Sequence, residues 1–120
     1  DRRSDEWFEA IEAAAQLVLQ DPSRKVVIHC HMGVNRGPSA AFTALITHGV
    51  DPIQALTQIR SARPVAAILY SFDAVQWYAR RQGKTEQEVA GLFQAVYDWH
   101  VENPLDLVYC IQQIGNRYAA

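Results

Sequence analysis

The chain has 120 residues, 49% of them apolar and 20% charged, with a formal net charge of −2. That length bounds it to one domain with an ordinary core, and the faintly acidic balance weighs against a broad nucleic-acid or anionic-membrane surface. No apolar run approaches the roughly 18 residues needed to span a bilayer, no stretch reads as a secretory leader, and the two cysteines, Cys30 and Cys110, make no disulfide framework.

In chain order, Asp5 to Leu19 carries Trp7, Phe8, Ile11, Ala14, Ala15, Val18 and Leu19 at helical spacing. Ser4 or Asp5 is placed to cap it, and Asp21-Pro22-Ser23 breaks it. Lys25 to His29 is a continuous apolar run of the kind found in a strand buried on both faces. A helix is expected from Pro38 to Thr47, with Pro38 in its first turn and Gly49 just past its end. Asp51-Pro52 caps a third helix to about Ala62, which Arg63-Pro64 ends. Tyr70 to Arg81 reads as a fourth. Thr85-Glu86-Gln87-Glu88 is a capping box that opens a fifth, running to about Val101. Asn103-Pro104 is expected to cap a sixth, from Pro104 to about Ile114.

The chemistry concentrates in His29-Cys30-His31-Met32-Gly33-Val34-Asn35-Arg36. A cysteine at the end of a strand, five intervening residues and an arginine before a helix make an anion pocket with a nucleophile at its floor. Successive backbone N–H groups can wrap an oxyanion, and the following helix start adds partial positive charge at the same spot. Arg36 can fork onto two phosphate oxygens, which a lysine cannot. The same field favours the Cys30 thiolate, its reactive form. An arginine at a helix start is electrostatically ill placed unless an anion sits there.

This His-Cys-x5-Arg arrangement resembles the signature loop of the cysteine-based protein phosphatases, with the compact dual-specificity branch closest. The resemblance runs from about Trp7 to about Arg81. It implies an α/β fold, a central sheet flanked by helices, of which this chain holds the C-terminal, mostly helical part. By the same resemblance, Cys30 attacks phosphorus and carries a cysteinyl-phosphate. Arg36 binds substrate and stabilises the transition state, and His29 orients the loop. The segment His31, Met32, Gly33, Val34, Asn35 and Arg36 holds the phosphate through its amides. No metal and no cofactor are implied. The substrate is a phosphorylated protein or a small phosphomonoester, and the expected setting is the reducing cytoplasm, away from membranes.

The family places a general-acid aspartate about thirty residues before the cysteine, and Asp1 is the acidic residue nearest that position. The chain begins 29 residues before Cys30, so the expectation is a unit whose remaining strands come from a preceding part of the same domain or from a partner chain. Residues 1–83 then form part of the catalytic domain, and residues 84–120 a helical extension packed on it. Gly37 stands where the family has Ser or Thr, whose hydroxyl helps the thiolate depart. Two other readings stay open. Gly33-Val34-Asn35-Arg36 also resembles the loop of RNA 5′-triphosphatases on the same fold. A pocket without its acid and hydroxyl could instead bind phosphate without turning it over, as a pseudophosphatase does. His48, His100 and Asp73 read as surface helix residues, and Arg60, Arg63, Arg80 and Arg81 as a solvated basic face.

Overall fold

A computed structural model of the chain describes residues 3–21, 23, 25, 27, 28 and 34–118. Six helices account for its regular structure: α1 (Asp5–Gln20), α2 (Arg36–Thr47), α3 (Pro52–Ala62), α4 (Ser71–Arg81), α5 (Glu86–Glu102) and α6 (Leu107–Tyr118).

The expected α/β architecture is therefore corrected. Among the described residues there is no strand and no sheet. Lys25, Val27 and Ile28 lie in irregular backbone, while Val26 and His29 lie outside the described residues. Val27 is 83% exposed, so this run is not buried on two faces. The physical reason is pairing. A strand exists only through the backbone bonds it exchanges with neighbours, and every other described apolar segment of any length is spent on a helix or on a buried loop.

α2 is the hub. It packs against α1, α3 and α4, and α4 in turn packs along α5. Phe42 and Ile46 of α2 meet Phe8 of α1, Leu56 of α3, Val75 and Trp77 of α4, and Val96 and Trp99 of α5 in one core. Phe8 stacks on Trp77 with ring centroids 5.3 Å apart. Truncating a fully buried residue such as Phe42 to alanine costs about 3–5 kcal/mol, which is why this side of α2 is fixed in place. Two polar residues also lie in that face, and both are satisfied: Thr43 Oγ1 donates to the Ser39 carbonyl at 2.9 Å, and Ser39 Oγ donates to Asn35 Oδ1 at 3.2 Å.

The helix ends follow local chemistry. Asp51 Oδ2 accepts from the Ile53 and Gln54 amides at 3.0 and 3.2 Å and caps α3. Thr85 and Glu88 close their capping box at 3.1 Å in both directions. Gly49 (φ +87°) and Gly83 (φ +78°) end α2 and α4. In each case the glycine amide and the next one bond back to carbonyls of the last turn, the left-handed stop that glycine alone adopts without strain.

Two boundary expectations change. Ser4 caps α1 with its carbonyl, which accepts from Trp7 N–H at 3.0 Å, and its side chain makes no cap bond. Asn103 does not open α6. It closes α5, its amide and its side-chain nitrogen both donating to the Trp99 carbonyl at 2.9 Å. Asp106 opens α6 instead, accepting from Tyr109 N–H at 3.0 Å.

Candidate functional site

Arg36 is the first residue of α2 and is exposed. Its predecessor Asn35 sits at the N-cap position, yet its side chain makes no cap bond. Asn35 Oδ1 instead accepts from Leu69 N–H at 2.6 Å and from Ser39 Oγ at 3.2 Å. Ser39 Oγ accepts in turn from Tyr70 N–H at 3.1 Å, and the Val34 carbonyl accepts from Ala67 N–H at 2.6 Å. No acidic residue stands in the first turn of α2. The segment around Arg36 is thus tied sideways to a second loop rather than capped along the helix axis.

That second loop joins α3 to α4. Val65, Ala66, Ala67 and Ile68 are all buried in it. A buried loop has to find partners for its backbone outside any helix or sheet. Arg60 Nε donates to the Ala66 carbonyl at 2.7 Å. Ile68 has φ +57° and no exposed surface. A β-branched side chain in the left-handed region is strained by roughly 1–3 kcal/mol and persists only where its surroundings enforce it. Here they do: the Ile68 carbonyl accepts from Ser71 Oγ at 2.6 Å and from Ser71 N–H at 3.1 Å.

Ser71 Oγ also lies 3.0 Å from His100 Nε2. The His100 ring stacks on Phe72 (4.8 Å, 25°) and meets Trp99 edge-on (5.1 Å, 90°). Burial, and then the Arg60 charge, push His100 down to about 4, so it is neutral near pH 7. A serine beside a neutral histidine suggests a nucleophile and its base, but Ser71 is fully buried and its one proton is committed to the Ile68 carbonyl. The pair holds a loop.

Arg3, just before α1, braces the same loop. Its guanidinium donates to Tyr70 Oη at 2.9 Å and lies over the Tyr70 and Trp7 rings at 4.6 and 5.8 Å.

Of the residues expected in the site, the structure brings Val34, Asn35 and Arg36 together with Ser39 at the start of α2. Asp1, His29, Cys30, His31, Met32 and Gly33 lie outside the described residues. His100 is corrected from a surface residue to a half-buried, hydrogen-bonded one. Of the four arginines, Arg63, Arg80 and Arg81 are exposed, as a solvated face requires, and Arg60 is the half-buried exception. Arg60 donates to Ala66 and Asn103 carbonyls and stacks over Trp99. Arg80 pairs with Glu86, and Arg81 with Glu12. Sequence reasoning missed Ile68, Ser71 and the loop itself. The signal was present: Val65 to Leu69 is an apolar run between two helices, too short for a helix and with no polar side chain to serve its backbone.

Among the described residues no three of His, Cys, Asp and Glu gather as metal ligands, and no helix is long and apolar enough to cross a membrane. No family model matches the chain, no curated protein matches it, and no solved structure matches it.

Proposed function

We propose that the chain is a cysteine-dependent phosphatase of the dual-specificity type, with Cys30 as nucleophile and Arg36 as the anion-holding residue. One observation carries the reading: α2 begins on an arginine, its N-cap side chain is turned away, and its first turn holds no acid. A cation at the positive end of a helix costs stability. An anion bound there repays both the helix end and the guanidinium at once. In the proposed reaction the Cys30 thiolate attacks phosphorus and the alcohol leaves, taking a proton from an acid for which Asp1 is the candidate. Water then displaces the thiolate from the cysteinyl-phosphate.

The test is turnover of an aryl phosphate. Cys30→Ser abolishes it while leaving vanadate binding in place, and Arg36→Lys loses most of it because a point charge cannot replace the bidentate fork. Substantial turnover by Cys30→Ser rejects the covalent route.

A second reading, phosphate capture without efficient release, is favoured by Ser39. Gly37 offers no hydroxyl to help the thiolate leave, and the Ser39 hydroxyl is buried and engaged at both its donor and acceptor sides. Rapid-quench kinetics separate the two: a burst of one phenolate per chain followed by slow turnover marks rate-limiting hydrolysis of the intermediate.

A further inference from the structure

We infer that His100, on α5, is a positioning residue for the anion site at the start of α2, acting through Ser71 and the strained carbonyl of Ile68. The inference rests on the reading of Arg36 as an anion holder and adds a region of the chain, residues 84–120, that the phosphatase resemblance leaves without a role.

Proton bookkeeping fixes the direction of the chain of bonds. The Ile68 carbonyl can only accept, so Ser71 Oγ–H donates to it at 2.6 Å. Ser71 Oγ is then an acceptor toward His100, and the 3.0 Å contact is His100 Nε2–H donating to Ser71. A neutral ring with its proton on Nε2 does this. The Phe72 and Trp99 rings hold the imidazole in place.

What is held matters more than the bonds themselves. Ile68 at φ +57° is the one non-glycine residue with positive φ among those described. Its unusual backbone directs the next two amides away from the loop, Leu69 N–H to Asn35 Oδ1 and Tyr70 N–H to Ser39 Oγ. Asn35 and Ser39 flank Arg36 in sequence and bond to each other. A continuous path therefore runs from α5, through Ser71 and Ile68, to both sides of the arginine. If Ile68 relaxes to negative φ, both amides swing off their acceptors. The Asn35 side chain is then free to cap α2 itself, and the helix start it occupies is no longer open to an anion.

The test uses the full chain and inorganic phosphate, titrated by calorimetry, with the Leu69 amide shift as a second readout. His100→Phe keeps a stacking ring and removes the donor, whereas His100→Gln keeps a donor. His100→Phe is expected to weaken phosphate binding about tenfold and to move the Leu69 amide. His100→Gln is expected to stay within about threefold of the wild type. Should His100→Phe fail to fold, Ser71→Ala breaks the same path and is expected to give the same loss. Wild-type affinity in a folded His100→Phe or Ser71→Ala protein overturns the inference while leaving the site intact. Equal losses in His100→Phe and His100→Gln, tracking their melting temperatures, overturn it as well, since they show a merely structural role. Failure of the wild type to bind phosphate, or undiminished binding by Arg36→Ala, rejects the reading on which the inference rests and the inference with it.

Discussion

At the start of α5, Thr85 and Glu88 satisfy each other's amides, with Glu86 adding a second negative charge to the first turn. At the start of α2, Asn35 gives its side chain to Leu69 and Ser39, and the first residue is a cation. One end obeys every local rule for a stable helix, and the other breaks two of them. Where a protein sets aside local preference, the site usually serves something besides stability. The α5 start is local, made by residues three apart. The α2 start is held from a distance, by a loop more than thirty residues further along the chain.

The comparison can be broken by removing each support in turn. Asn35→Ala takes away the acceptor of two bonds and is expected to cost about 2 kcal/mol in urea unfolding, the largest effect of the set. A loss near zero shows that α2 starts as locally as α5.

Acid separates the two ends next. His100 is near 4 in the folded chain against 6.5 unfolded, so the unfolded state binds more protons between those values. Stability is then flat above about pH 6.5 and falls as pH drops toward 4, by about 1–2 kcal/mol once the half-exposure of the ring is discounted. Glu88, held below its usual 4.5 by the Thr85 backbone and hydroxyl bonds, keeps the α5 cap until pH falls below 4.5. The difference between wild type and His100→Gln isolates the first window, and a flat difference from pH 7 to 4 contradicts it.

Thr85→Ala is expected to cost about 1 kcal/mol by urea unfolding and to leave phosphate binding unchanged. The smallest effect has the opposite sign. Arg36→Glu is expected to raise stability by about 0.3–1 kcal/mol, because an acid suits a helix start, while phosphate binding disappears. A variant that is both less stable and still binds phosphate would sink the account of this helix end.

Most of the helical frame was legible because it is local. The Phe8 spacing, the Asp51-Pro52 cap, the Thr85–Glu88 box and the Gly49 stop are each decided within five residues. What was not legible depends on distant partners. Val27 has the composition of a strand, but composition cannot supply a neighbouring strand, and the expected sheet does not form among the described residues. His100 looks like any surface histidine on its helix until Phe72 and Ser71 are brought against it. The candidate site is proposed from a motif of which Val34, Asn35 and Arg36 are described. The loop that braces those residues was not legible, because Val65 to Leu69 carries no polar side chain and only the fold assigns its backbone bonds.

The composition of α6 has a consequence in time rather than in energy. Leu107 and Ile111 are 68% and 70% exposed. A twelve-residue helix is marginal on its own, and among its described side chains only Cys110 is buried. Its amides are therefore expected to exchange with solvent through local opening, on a clock set by its own helix–coil balance. Those of α2, enclosed by three other helices, wait for much rarer, larger openings. The chain then has two lifetimes, and a protease that clips α6 leaves the helices around Phe42 folded.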